Sequence, residues 1–245
     1  MYKLSRWVFT CIMTAFLFMI AGKGWAATAA DDIPATDTAA RGVELLKKIE
    51  DKYRDTKTFF GRFEQVKISE LFLEEIHSEG EFWYRKPGLF RCEYLPPNAQ
   101  VNLIIENKAY VYIPEIKQVE IYHFKNEDSP VKKLNHMLLG FGVSVKDVLD
   151  VYDVFSIPGE ETEDSFALLF KLRKMEEGFN FESIRIWFKK KSLLPFRLAF
   201  QEPGTSDAPG DRTEIDLKKV EFNNKIKPSV FEPVFPKDAE VIEQN

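Results

Sequence analysis

Between residues 80 and 121 the chain alternates apolar and polar positions with a period of two. Phe90, Cys92 and Tyr94 fall on one side of an extended segment, and Arg91 and Glu93 on the other. Val101, Leu103 and Ile105 repeat the pattern, then Val111 and Ile113, then Val119 and Ile121. Pro87-Gly88 and Pro96-Pro97 punctuate the run as turns. The pattern predicts four or five short antiparallel strands, each apolar on one face. Such a sheet must cover that face with protein or with a ligand.

The flanks extend the picture. Val43, Leu46, Ile49 and Tyr53 stand at helical spacing and predict a helix over residues 41–54. Strands are expected over residues 59–68, with Phe59, Phe63 and Gln65, and over residues 79–85, where Phe82 and Tyr84 alternate with Glu81, Trp83 and Arg85. From residue 129 the period becomes helical. Ser129 and Pro130 suit a first turn, and Val131, Leu134, Met137 and Leu138 form the stripe. Gly140-Phe141-Gly142 breaks it, and Ser144 caps a second short helix with Val145, Val148, Leu149 and Tyr152 inward. The period of two then returns at Phe166, Leu168, Phe170 and Leu172, at Ile184, Ile186 and Phe188, and at Leu194, Phe196, Leu198 and Phe200. After a polar loop over residues 204–210, Thr213, Ile215 and Leu217 alternate, and Val220 and Phe222 resume beyond a bulge. The Pro-punctuated tail, residues 231–242, is expected to lie along a sheet edge. The sum is a mainly β chain with a few helices, an α+β protein built on one curved antiparallel sheet, a barrel or part of one.

The first 26 residues do not belong to that fold. Lys3 and Arg6 precede an apolar run over residues 7–21, and small residues follow, as in a secretory signal peptide. Cleavage is expected after Ala26 or Ala29. Residues 27–40 then form a small, polar linker, and residues 41–245 a single domain. Removing residues 1–26 takes away Lys3, Arg6 and Lys23 and no acid, so the formal net charge of −5 becomes −8. That balance argues against nucleic acid and against adhesion to anionic lipid. Cys11 leaves with the signal, so Cys92 is left alone and no intramolecular disulfide can form. On an apolar face it is expected to act as a small hydrophobe. No other long apolar run occurs, and the mature chain is expected to be soluble.

Candidate chemistry is sparse. The three histidines, His77, His123 and His136, lie far apart with no partner at metal-ligand spacing. No Gly-x-Ser-x-Gly elbow or phosphate loop occurs. Glu74-Glu75, Glu160-Glu161 and Glu176-Glu177 are paired acids best read as solvated turns. The expectation is therefore no enzyme, no metal and no cofactor. What stands out is the 22 Phe. They suit a solid barrel core and a greasy cavity equally well, because burial of an apolar side chain is worth ~1.5–3 kcal/mol against either.

The order and spacing of several features resemble the LolA family of periplasmic lipoprotein carriers. Phe59, Phe63 and Gln65 match its Phe-x-x-x-Phe-x-Gln, and Gly80, Phe82 and Trp83 its Gly-x-Leu-Trp strand. Lys86, Pro87 and Phe90 match its basic-Pro-x-x-Phe turn. Pro97, Asn107, Lys108, the Tyr-x-Tyr-x-Pro from Tyr110 to Pro114, Gln118 and Val119 follow in order. Residues 231–241 resemble its closing Phe-x-Phe-x-Pro segment. The resemblance implies an unclosed antiparallel half-barrel of about ten to eleven strands, lidded by short helices over a hydrophobic cavity. Phe63, Phe82, Tyr84, Phe90, Cys92 and Tyr94 would line the acyl-chain cavity. Leu103, Ile105, Val111, Ile113 and Leu168 would continue it. Leu134, Met137, Leu138, Val145, Val148 and Leu149 would form the lid, held more loosely than a core. In the family an Arg before the Pro latches the lid; here that place is taken by Lys86, with Arg85 beside it. Cys92 stands where the family often has Trp, which should widen the cavity. The implied function is a periplasmic chaperone, expected as a monomer. It would take acylated lipoproteins from an inner-membrane ABC transporter to an outer-membrane receptor lipoprotein. The alternatives are a carrier of another lipid and an envelope-stress signalling protein sharing the half-barrel.

Overall fold

The computed structural model describes residues 36–69, 72, 74–124, 141, 143–174, 181–205 and 209–244. The expected signal peptide and the lid positions Leu134, Met137 and Leu138 lie outside them. Helix α1 (Thr36–Tyr53) is followed by β1 (Thr58–Ser69), β2 (Glu74–Arg85), β3 (Leu89–Tyr94), β4 (Gln100–Ile105), β5 (Lys108–Ile113) and β6 (Gln118–His123). Helix α2 (Val145–Val151) leads into β7 (Tyr152–Ser156), β8 (Ser165–Leu172), β9 (Ser183–Lys189), β10 (Pro195–Gln201) and β11 (Arg212–Phe222), and β12 (Glu240–Gln244) ends the chain.

Among the described residues twelve strands form one sheet in the order β12-β6-β5-β4-β3-β2-β1-β11-β10-β9-β8-β7. The chain meanders outward from β1 to β6. It then crosses to the far edge at β7 and meanders back until β11 pairs with β1. Every pairing but one is antiparallel; β12 joins β6 in parallel. The two edges, β12 and β7, do not pair with each other, so the barrel is unclosed. The bulge expected near the end of β11 is present: Arg62 faces Lys219 and Phe63 faces Leu217, leaving Lys218 as the extra residue.

Three expectations are corrected. Helix α1 begins at Thr36, inside the segment read as linker. Asp37 in its first turn complements the helix dipole there, which composition alone did not signal. Helix α2 stops at Val151, and Tyr152 opens a strand rather than continuing the helical stripe. The 74–75 acids begin β2, which runs five residues further back than its apolar alternation indicates. The stretch is polar on both sides, so no pattern marks it as extended.

The first half of the core is solid. Leu45, Leu46, Ile49 and Tyr53 of α1 pack with Val145 and Val148 of α2 against Phe166, Leu168, Phe170, Ile184, Ile186 and Phe188 of the sheet. Short helices such as α2 hold their shape through this docking rather than through propensity. Ser144 caps α2 by accepting the Asp147 amide proton at 3.5 Å. Among the described residues no helix is long and apolar enough to cross a membrane.

Tyr53 ties α1 to the sheet by donating its hydroxyl to the Ser192 carbonyl at 2.6 Å. Burial pushes its phenol up to about 12. A free tyrosine ionises near ~10. Between those values the unfolded chain releases a proton that the folded protein keeps. Stability from Tyr53 is thus complete below about pH 10 and falls as pH rises toward about 12. Urea midpoints measured between about pH 9 and 11 should fall for the wild type and fall less steeply for Tyr53→Phe.

Candidate functional site

The second half of the concave face is aromatic. Phe59 and Phe63 on β1, Phe82 and Tyr84 on β2, and Phe90, Cys92 and Tyr94 on β3 form one buried cluster. Their positions follow from register: Phe59 faces Tyr84, which faces Phe90, and Phe82 faces Cys92. Cross-strand neighbours point to the same face. The rings are in direct contact, with Phe59 stacked on Tyr84 at 5.4 Å and Phe63 edge-on to Tyr94 at 5.4 Å. Two glycines make room for them. A Cβ on Gly61 would meet the Phe82 ring at 2.4 Å, and one on Gly80 would meet the Phe63 ring at 2.7 Å. Alanine at Gly61 would lift the Phe82 ring off the sheet, and at Gly80 it would also strike the Glu93 carbonyl of β3 at 2.3 Å.

Among the described residues no helix covers this half; Phe141 does, with Val143 packed beside the same cluster. Phe141 is 4% exposed and joins the cluster. Its centroid lies 5.1 Å from Phe59, 6.2 Å from Phe82 and 6.3 Å from Phe222. Sequence reading treats Gly140-Phe141-Gly142 as a helix breaker and gives the Phe141 ring no role. A bulky aromatic between two glycines, in a connection, is the signal that could have marked it.

Cys92 is buried at the bottom of the cluster. Burial, and to a smaller extent the charge of Glu93, pushes its thiol far above its ordinary value. It stays a neutral hydrophobe, not a nucleophile. Tyr84 donates to the Pro87 carbonyl at 3.3 Å, and burial raises its phenol too. A third, smaller cluster continues the face across β5 and β6, with Ala109, Val111 and Tyr122, and Ile113 packed on it.

Leu103, Ile105 and Leu168 do not belong with these residues. Leu103 pairs with Arg91 and Tyr110, so it and Ile105 point to the convex side. The concave positions of β4 are Gln100, Asn102 and Ile104. Apolar alternation selected the wrong face because the C-terminal segment covers the convex side as well, leaving Leu103 0% exposed. There Phe235 packs on Tyr110 and Tyr112, at 6.0 and 5.6 Å. Leu168 sits in the solid core beneath the helices. Of the described lid positions, Val145 and Val148 are core residues, with Val148 1% exposed, and Leu149 packs against them. They are not looser than a core.

The latch pair also divides. Lys86 Nζ donates to the Arg54 carbonyl at 3.2 Å, just past the C-terminal end of α1. Burial lowers its ammonium somewhat, opposed by the charge of Asp55. Arg85 points to the convex side, where it donates to the Ile226 carbonyl and lies 5.1 Å above the Phe231 ring. It fastens the C-terminal segment. The paired acids have structural partners: Arg185 meets Glu160 at 2.5 Å and Lys190 meets Glu161 at 2.8 Å. His77 and His123 each lie near one glutamate, Glu75 and Glu243, at 3.2 and 3.4 Å. Among the described residues no group of three or more His, Cys, Asp or Glu could hold a metal.

The fold and this face define an open β half-barrel with an aromatic concave lining. The chain belongs to the family described as outer membrane lipoprotein carrier protein LolA, which matches residues 54–234. It is 28% identical over 167 residues to an outer-membrane lipoprotein carrier protein of Chromohalobacter salexigens, covering 68% of this chain and 71% of that one. It is 27% identical over 205 residues to the protein of the same name in Pseudomonas entomophila, covering 84% and 87%. A solved LolA superfamily protein from Nitrosomonas europaea superposes with a TM-score of 0.40 at 10% identity, covering 78% of this chain and 97% of that one.

The position of Lys86 at the end of α1 yields a stability prediction. A cation at a helix C-terminus is worth about 0.3–1 kcal/mol, and the partly desolvated ammonium of Lys86 places it toward the lower value. Lys86→Leu should lower the urea midpoint by that small amount, and Lys86→Arg should restore it.

Proposed function

We propose that this protein is a periplasmic carrier that shields the acyl chains of lipoproteins on its concave face. It would receive them from an inner-membrane ABC transporter and deliver them to a receptor lipoprotein at the outer membrane. Membership of the carrier family supports the cargo class. The observation that carries the mechanism is Phe141, a ring seated on the β1–β3 aromatics, where among the described residues no helix packs as α1 and α2 do on the other half of the sheet.

The physical need is plain. Each acyl CH₂ left in water costs about 0.8 kcal/mol. A soluble carrier must cover many of them and still give them up without hydrolysing ATP itself. An aromatic plug meets both demands. In the empty protein Phe141 fills the face; in the loaded protein an acyl chain takes its place. Binding is then an exchange of one apolar contact for another, and the affinity stays moderate. No catalytic step is involved. Cys92, beside Phe82, supplies a small side chain where a larger one would fill the face.

Mass spectrometry of the protein purified from periplasm should find bound triacylated proteins. Free lipid alone would assign it to another lipid-carrier class. The plug makes a sharper prediction. Phe141→Ala removes a competitor worth ~1.5–3 kcal/mol, so the variant should hold a labelled lipoprotein about tenfold more tightly or better and transfer it more slowly. Weaker binding with unchanged stability would show that Phe141 contacts the cargo instead of being displaced by it.

A further inference from the structure

The concave face is not uniformly apolar. One cross-strand row runs from Cys92 on β3 to Asn102 on β4, Val111 on β5 and Glu120 on β6. The side chains of a row share one face, so Asn102 lies on the concave side between Cys92 and Val111. It is 5% exposed. Polar groups around it are paired. Gln100 Nε2 donates to Asn102 Oδ1 at 2.7 Å, and Tyr94 donates to Gln65 Oε1 at 3.1 Å. Gln118 Nε2 donates to Glu120 Oε1 at 2.8 Å, and the Tyr122 hydroxyl donates to the other Glu120 oxygen. Asn102 Nδ2 is different: it is buried and has no hydrogen-bond partner.

A buried amide donor without a partner is costly, and native proteins seldom keep one without a reason. Gln100 fixes the amide by holding its oxygen, which leaves the NH₂ directed away from that bond. The side chains directly across from it, Cys92 and Val111, offer Nδ2 no acceptor oxygen. A carbonyl oxygen flanked by alkyl chain fits: the oxygen accepts from Nδ2, and the chain lies against the apolar neighbours.

We propose that Asn102 is a polar subsite of the concave face that donates a hydrogen bond to the carbonyl of an ester or amide joining an acyl chain to its head group. This inference rests on the carrier reading and adds to it how the linkage is recognised. The row would set the depth at which the linkage sits, with the chains running from Asn102 over Cys92 toward Phe82, which faces Cys92 on β2. Acylated protein N-termini and free glycerolipids share this chemistry, so the test includes both.

The experiment measures displacement of an apolar dye by two diacylglyceryl-cysteine peptides, identical except that the chains are ester-linked in one and ether-linked in the other. The same comparison is made with ester and ether phosphatidylglycerol. A neutral hydrogen bond predicts that the wild type prefers ester to ether by roughly three- to tenfold. Asn102→Leu should bind the ether peptide as the wild type does and show no preference. Asn102→Asp keeps an acceptor for Gln100 and loses the donor, so it should also lose the preference, which covers the case in which the leucine variant does not fold. A preference seen only with phosphatidylglycerol would support the subsite and assign it to free lipid. Equal binding of ester and ether by the wild type, or a preference that survives in either folded variant, would overturn the proposal while leaving the carrier reading intact. Binding of neither peptide nor lipid would overturn both.

Discussion

An open, curved sheet has a concave face that must be covered, and the structure depends on how each half of this face is covered. On the β7–β11 side, α1 and α2 close it with interlocked aliphatic and aromatic side chains. That half is an ordinary core, and burial of each large side chain there is worth ~1.5–3 kcal/mol. On the β1–β3 side the same requirement is met by aromatic rings lying against each other and over two glycines, with Phe141 on top. The two halves are joined through β1 and β11, which share the longest antiparallel pairing at the centre of the sheet apart from β1 with β2. In the proposed mechanism one half stays fixed while the other exchanges its cover.

The convex side explains a second feature. After β11 the chain runs back across β3, β4 and β5 before β12 joins β6. Arg91 donates to the Val230 carbonyl at 3.3 Å, Arg85 holds the Ile226 carbonyl, and Phe235 lies on Tyr110 and Tyr112. This segment buries Leu103 from outside and occupies the edge of β6, which would otherwise offer unpaired backbone groups to other chains. The basic residues next to the turn at Pro87 thus serve different faces: Lys86 the end of α1, Arg85 the C-terminal segment.

Much of this was legible in the sequence. Strict alternation located β3 and its concave residues Phe90, Cys92 and Tyr94, because that strand carries charges on its other face. The bulge in β11 and the cap at Ser144 were legible for similar local reasons. The failures share a cause. Where both faces of a strand are covered, as at β4, apolar alternation does not say which is inside, and Leu103 and Ile105 were assigned to the wrong one. Where a short strand follows a helix directly, as at Tyr152, the periods of 3.6 and 2 overlap and the boundary moves. Polar residues on the concave face, Gln100 and Asn102 among them, carry no signal in a search for apolar stripes. Phe141 was hidden by its glycine neighbours.

The central claim is that the β1–β3 aromatic face contacts acyl cargo. It is tested most directly by photo-crosslinking in living cells, with benzoylphenylalanine in place of Phe90 on the concave face or of Phe60 on the convex face. Phe60 is a fair control, being an aromatic half-buried beside Trp83 at 5.5 Å. The account predicts lipoprotein adducts from position 90 and none from position 60. Adducts from position 60 alone, or none from position 90 in a folded and secreted protein, would contradict it.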